Sequence, residues 1–589
     1  MTVLYPGGHG VHQNARYLST DHPVIAEMLR HDRGYYTAAF VSSFVLARRF
    51  GLARGFDLYN DDFPAGLSER TARETTEAAL AEIRAGNQQL FFLWVHYYDP
   101  HYPYTPPEPF RTRYAKAPYL GEVASMDEQL GRLVQAFEER AKRLNAPAAI
   151  VVVGDHGEGL GDHGEAQHGN LLYQSTMHVP LVVVGPGIAP GVSDTPVSTR
   201  RVFHTLLDWA GLTPALSLRA SDPEVVLGEA MKPFLDYGWQ PQVMAVSGRF
   251  KAILAGRLEA YDLTADPAEA HDLGSASDLA APARKALEDY PVPAPEAARA
   301  QASLDDEARR RLASLGYVGA TTAPVVRKGA PRPVDMTHLF PVLDQASGLF
   351  VTEQYAKAIL LLEQVVAVDP YNVDAVLHLA VAHSALGHNR QAVETFDRAR
   401  QLAPASQDVR TYLALHYARG SEWARAVPLL EEIVAETPDR LPAVEALEAI
   451  RERQGRVEDA IALRQKIYTM RRPSAAELEQ LGELAMSAQR TPVAIESFER
   501  ARQLQGAAFT HDLELGVLYL AAGRFADART ALDRVPSSSP EYPMALFKRA
   551  QVSVLLREPD QAARIDLARR KADRTTRDLI ARERLFLQK

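Results

Sequence analysis

Two hydrophobic rhythms divide the chain. Up to about Leu315, short apolar runs alternate with charged amphipathic stretches. YYTAAFVS (Tyr35–Ser42), LFFLWVH (Leu90–His96), AAIVVV (Ala148–Val153) and the run within His178–Gly185 are short enough, and apolar enough, to predict strands, most of them buried. Between them, Ser68–Ala85, Tyr119–Leu144 and Arg200–Ala210 carry apolar residues at helical spacing. Asp21-His22-Pro23 supplies an N-cap and a first-turn proline for one more helix. Such alternation predicts a largely parallel sheet covered by helices. Val243–Leu263 differs: three short runs separated by Gly248-Arg249 and Gly256-Arg257 predict an antiparallel meander.

From about Leu339 the pattern becomes helical throughout, and it repeats. Alanine recurs at Ala358, Ala392, Ala426, Ala460, Ala494, Ala528 and Ala562, each 34 residues after the last. Pro370, Pro404 and Pro438 stand twelve residues beyond the first three; Gly387, Gly455 and Gly523 stand five residues before three of them. Twelve residues before the alanines come Ala346, Ala380, Ala414, Gly482, Gly516 and Ala550, with Glu448 the exception. Small residues let two helices approach, glycine makes the turn between them, and proline ends the second helix because it has no N–H to continue it. The 34-residue period is that of the tetratricopeptide repeat (TPR). Seven units run from about Leu339 to Thr576, and the last, with Arg549, Asp566 and Arg569 at otherwise apolar positions, is expected to be a solvent-facing cap. The proline-rich Thr321–Val334 predicts a semi-rigid linker. The expected organisation is therefore an α/β domain over 1–320, a linker over 321–336 and an all-α repeat array over 337–589. Such arrays bind protein or peptide partners in a groove, so chemistry is expected in the first part.

Composition narrows the classes. A net charge of −9 argues against a nucleic-acid partner. The chain has no cysteine, hence no disulfide, thiolate site or Cys nucleophile. Met1–Gly10 lacks the basic start and apolar core of a signal peptide, and the longest apolar runs fall short of the ~18–20 residues that span a bilayer, so no transmembrane segment is expected. Compartment is not readable.

Candidate chemistry concentrates in two segments. VVVGDHGEGLGDHGEAQHG (Val151–Gly169) runs from a strand into a glycine-flanked loop bearing Asp155, His156, Glu158, Asp162, His163, Glu165 and His168. Ligands of open α/β sheets bind at the carboxyl ends of strands, and an adjacent Asp-His offers one oxygen and one nitrogen to a divalent metal. A polar loop with solvated histidines is the competing explanation. WVHYYDPHYPYTPP (Trp94–Pro107) places His96, Asp99 and His101 at another strand end, with Pro100 and Pro103 fixing the backbone about His101. A histidine held there can bind an ester oxygen or protonate a leaving group; stacking among tyrosines is the alternative.

Six blocks in order resemble the sulfatase family of the alkaline-phosphatase superfamily: LYPGGHGVHQN (Leu4–Asn14), TAAFVSSFVLARRFGLARGFDLYND (Thr37–Asp61), FFLWVHYYDPHYPY (Phe91–Tyr104), the Val151–Gly169 loop, LEAYDLTADPAEAHDLG (Leu258–Gly274) and RRLASLGYVGA (Arg310–Ala320). The resemblance implies an α/β alkaline-phosphatase-like fold with a mainly parallel sheet, followed by the TPR solenoid. It implies Asp155 and His156 as metal ligands, His101 and His168 as catalytic groups on the ester oxygens or leaving group, and Asn14 and His96 as substrate contacts. The implied cofactor is a divalent ion: calcium for an oxygen set, manganese or zinc given the imidazole of His156. The implied activity is metal-dependent hydrolysis of sulfate esters. Phosphodiesterase, phosphonate monoesterase or phosphoryl-transfer activity, and a non-catalytic TPR scaffold with a degenerate hydrolase domain, are the alternatives. The family's paired metal-binding aspartates and its nucleophile lie before the block that LYPGGHG resembles, so the chain is expected to be an N-terminally truncated, inactive form. VSSFVL lacks the Lys and His that many sulfatases carry in that block.

Overall fold

A computed structural model of the chain describes residues 1–586 except 15, 65, 213–215, 221–222, 275–280, 296–307, 309–310 and 313–321. The Arg310–Ala320 block and the start of the expected linker thus lie largely outside the described residues. The chain divides into two compact units, Met1–Val409 and Arg410–Lys589.

In the first unit, β1 (Tyr36–Val41) lies between β2 (Leu58–Asn60) and β3 (Phe91–His96), parallel to both. The helix Ala72–Ala85 begins at a capping box, Thr71 with Glu74. Its face of Ala79, Leu80 and Ile83 packs with Leu133 and Ala136 of the helix Pro118–Leu144 over Ala38 and Phe40. Parallel pairing leaves strand carboxyl ends on one edge, and β3 delivers His96 there. β4 (Ile150–Val153) and β5 (Leu181–Val184) form a separate antiparallel pair, where the strand–helix order predicted parallel neighbours. The connection from β4 to β5 is mostly loop with one helical turn, Gln174–Met177, rather than the long helix a parallel crossover requires. The expected meander is present as β7 (Gln242–Ser247), β8 (Phe250–Ala255) and β9 (Arg257–Asp262), with β6 (Val226–Ala230) added at its edge. The helix expected from Asp21 begins later, at Ile25, where Glu27 reaches back to the Val24 N–H.

Residues 322–339 do not hang free. Thr322 is buried, Gln240 N–H donates to the Pro331 carbonyl (2.9 Å), and Arg332 pairs with Glu259. The Trp239 indole N–H donates to Asp369 (2.8 Å), a buried carboxylate that also pairs with Arg327 (3.1 Å). This belt joins the α/β part to the first two helix pairs, Phe340–Val351 with Tyr355–Val368 and Val373–Ala385 with Asn389–Leu402, inside one unit.

Helix pairs continue through Gln561–Lys571, seven in all among the described residues, followed by the helix Arg574–Arg582. Six of the periodic alanines, Ala358 to Ala528, are 0% exposed; Ala562 is exposed. In the last pair Asp566 and Arg569 face solvent as expected, but Arg549 does not: it is buried in ion pairs with Asp533 (2.9 Å) and Glu558 (2.7 Å). Two acidic partners satisfy the guanidinium in place of water.

Candidate functional site

The two sequence segments follow the ends of β3 and β4. After β4 the backbone is clamped: Gly157 N–H donates to the Thr176 carbonyl and Gly159 N–H to that of Gln167, both at 2.7 Å. A Cβ on Gly157 would meet the Ser175 carbonyl at 2.2 Å, and one on Gly159 that of Glu165 at 2.3 Å. Only glycine fits such approaches, and Glu158 is fixed between them.

Three histidines gather. The His156 and His168 rings stack with centroids 3.9 Å apart, and His101 stands edge-on to His168 at 5.5 Å. Each spends Nδ1 on the protein: His101 on the Tyr102 carbonyl (2.7 Å), His156 on the Gly157 carbonyl (2.8 Å) and His168 on Glu158 Oε2 (3.1 Å). Carbonyls and carboxylates only accept, so Nδ1 carries the hydrogen and each ring presents Nε2. For His101, the Tyr98 hydroxyl meets Nε2 at 3.0 Å. Burial lowers His101 to about 4, outweighing its bond to the Tyr102 carbonyl, so the ring is neutral at pH 7.

Asp155 and His156 form a pair of another kind. His156 Nε2, with its lone pair, stands 3.8 Å from Asp155 Oδ2. Two acceptors so placed call for a cation or proton between them. A histidine whose Nδ1–H is held by a backbone carbonyl is the usual orientation of a metal-ligating ring. The Asp155 carboxylate is open to water; enclosing protein raises its pKa, but His156, His96 and backbone N–H groups outweigh that and hold it below the ordinary value. Among the described residues no three His, Asp or Glu side chains gather as a metal cage. The described residues thus offer two donors, Asp155 and His156, where a stable site needs three or four, and their fit to an ion is partial.

His96 lies beside this pair, its ring held neutral by burial and its Nδ1 without a hydrogen-bond partner among the described residues. Asn14 is exposed, and no hydrogen bond joins it to these side chains among the described residues. His163 is structural: it stacks on Tyr173 at 3.6 Å and bonds the Ala268 carbonyl. Two supports had no sequence signal of their own. Glu122, from the long helix, accepts from His101 N–H (3.0 Å) and Thr105 N–H (2.5 Å), bracing the histidine loop. Lys251 on β8 pairs with Glu269 at 2.7 Å, both essentially unexposed, and Glu269 accepts from Gln174 N–H next to the site loop.

The first unit thus carries a cluster of histidines and carboxylates at the ends of β3 and β4 of an α/β domain, and helical repeats follow it. Residues 1–212 match the Sulfatase family model, and 352–415, 479–543 and 513–574 match tetratricopeptide repeat models. The chain therefore carries a sulfatase-family domain followed by tetratricopeptide repeats. A choline-sulfatase of Rhizobium meliloti is 30% identical over 176 residues, covering 27% of this chain and 33% of that protein. An arylsulfatase of Clostridium perfringens is 30% identical over 128 residues, covering 21% and 26%. An uncharacterized sulfatase of Escherichia coli is 24% identical over 234 residues, covering 31% and 46%. The chain thus spans between a quarter and a half of the length of these relatives. Among solved structures, a 2-O GAG sulfatase aligns at 18% identity over 49% of this chain and 79% of its own (TM-score 0.36), and MamA at 25% over 28% and 91% (TM-score 0.25). No helix of the described residues is long and apolar enough to cross a membrane.

Proposed function

We propose that the domain acts on sulfate esters by hydrolysis, with Asp155 and His156 as part of a divalent-metal shell. His168 and His101 are the groups on the ester or its leaving oxygen, and His96 and Asn14 its outer contacts. The observation that carries this reading is the bare acceptor pair, Asp155 Oδ2 and His156 Nε2, set beside Nε2-presenting histidines at the end of β4. When bound, the ion supplies Lewis-acid polarisation of the ester oxygens. The chain's own residues orient the anion and handle protons. His101, neutral and capped by Tyr98, first has to yield that hydroxyl before it can meet substrate. The domain is taken to run to about 320 and the segment 321–336 to strap it to the repeats, whose groove holds a protein or peptide.

The test is hydrolysis of 4-nitrophenyl sulfate, 4-nitrophenyl phosphate and bis(4-nitrophenyl) phosphate by the full chain with calcium, manganese or zinc. Metal-dependent turnover of the sulfate, abolished by Asp155→Ala, would carry the hydrolase reading and overturn the expectation that this chain is inactive. Preference for the phosphodiester would move the reading to that reaction. Metal binding by calorimetry without turnover of any ester would favour the repeat-bearing scaffold.

A further inference from the structure

Glu158 has no part in metal or ester binding as described, yet it is among the most constrained carboxylates of the domain. Its side chain is 4% exposed, its backbone lies between two glycines that admit no Cβ, and Oε2 meets His168 Nδ1 at 3.1 Å. Its Oε1 has no hydrogen-bond partner among the described residues. The Tyr104 and Tyr119 hydroxyls are raised first by burial and then by the Glu158 charge. Through Nδ1, His101 and His156 lean on neutral carbonyls, and His168 leans on a carboxylate.

We infer that Glu158 is the positioning residue of His168: it fixes the ring with Nδ1 protonated and Nε2 turned away from the carboxylate to serve the reacting oxygen. This deepens the hydrolase reading and rests on it for its chemistry. In the reaction the attacking hydroxyl loses one proton and the leaving oxygen gains one. Nε2 carries it, forming N–H as the O–H of the attacking group breaks and releasing it as the bond between sulfur and the leaving oxygen breaks. Glu158 offsets the positive ring charge between those events and takes up no proton itself. The two remaining rings differ in kind. His156 Nε2 faces Asp155 and His101 Nε2 is capped, whereas His168 is backed by a carboxylate and its Nε2 meets no hydrogen-bond partner among the described residues.

The experiment uses the full chain with histidine labelled at both ring nitrogens, His168→Gln serving to assign the signals. Long-range nitrogen–proton correlations at pH 8.5 report the tautomer. The wild type is expected to show His168 with Nδ1–H and bare Nε2. Glu158→Gln retains an accepting oxygen and should keep that tautomer. Glu158→Leu, which cannot accept, should yield a mixture, with the other histidine signals in place to show that the fold persists. On 4-nitrophenyl sulfate, Glu158→Gln should lower kcat by about 10- to 100-fold with KM within about twofold, the scale on which such outer partners act. An unchanged His168 tautomer in Glu158→Leu overturns the inference, as does a loss carried by KM alone. The tautomer measurement stands without turnover: an inactive wild type with the expected tautomers would sink the hydrolase reading while leaving the Glu158–His168 coupling established.

Discussion

In the repeats, one position sampled every 34 residues keeps one structural task, and near-identical surroundings make its meaning additive. Ala358 through Ala528 are all fully covered by the facing helix, and the residue five places earlier always turns the chain with positive φ. In the hydrolase part the pieces of the site come from distant segments, each used once: His101 from after β3, Asp155 to His168 from after β4, Glu122 from a helix, and the Lys251–Glu269 pair from the terminal sheet. Periodic design spreads stability over many small equal contacts, whereas the site depends on a few unrepeated polar ones. That contrast predicts where single substitutions hurt most.

The largest loss is expected at the buried Lys251–Glu269 pair. Lys251→Met removes the ammonium and strands Glu269 in the interior, which should cost about 3–5 kcal/mol in denaturant unfolding of the first unit. The exposed Arg390–Glu394 pair of a repeat helix offers the control: Arg390→Met should leave the midpoint unchanged. Equal losses would mean that the two regions do not differ in the way proposed.

The repeats have their own sensitive spots, graded by exposure rather than by sequence period. A Cβ on Gly482 would lie 2.7 Å from the Phe498 ring, so Gly482→Val should cost about 1–3 kcal/mol by overpacking. Ala426→Leu, at a fully covered position, belongs with it, while Ala562→Leu at the exposed seventh position should be close to neutral. Measured midpoints that track period instead of exposure would break this assignment.

Burial raises Glu122 and Glu165 to about 7, against backbone N–H groups that favour their charged forms. Between the unfolded value near 4.5 and about 7, the folded protein holds protons that the unfolded chain releases. Each group's contribution to stability therefore falls as pH rises through that window, by an amount on the order of 3 kcal/mol, and the loss is complete above it. Buried neutral His9 and His101, lowered to about 4, act in the opposite sense below 6.5. The diagnostic quantity is thus the stability difference between wild type and Glu122→Gln, which should move against the wild type from pH 5.5 to pH 8. A difference that stays constant with pH would remove Glu122 from the account.

What the sequence disclosed follows the same contrast. The repeat period is visible because each unit restates the same packing requirement, and strands β1, β3, β4, β5 and β7–β9 are visible because short apolar runs between polar segments have few other uses. The pairing of β4 with β5 is not, since direction depends on where a non-helical connection leads the chain. The Asp155-His156 and His168 segment stood out as a motif, and the structure brings its rings together with His101. Among the described residues no hydrogen bond joins Asn14 to them. Glu122 could not be foreseen: one glutamate on an amphipathic helix resembles any solvated one until the loop it braces is in place. The buried ion pairs of Arg549 escaped for a related reason, since a charge in the last repeat reads as surface until its two acidic partners are located.

The smallest effect tests the periodic side most directly. Residues 353, 387, 421, 455, 489, 523 and 557 all have φ between 55° and 74°, and only Gly387, Gly455 and Gly523 are glycines. Glu353, Ser421, Gln489 and Arg557 hold the same left-handed turn with a side chain, which strains an L-residue by about 1–2 kcal/mol, less what glycine loses in unfolded-chain entropy. Ser421→Gly and Gln489→Gly should each stabilise the second unit by several tenths to about 1 kcal/mol, and the gains should add because the turns lie two repeats apart. Thermal unfolding of the single and double variants measures both points. Gains that failed to add would show the turns to be coupled along the array, and a loss at either position would show that its side chain contributes a contact worth more than the strain it imposes.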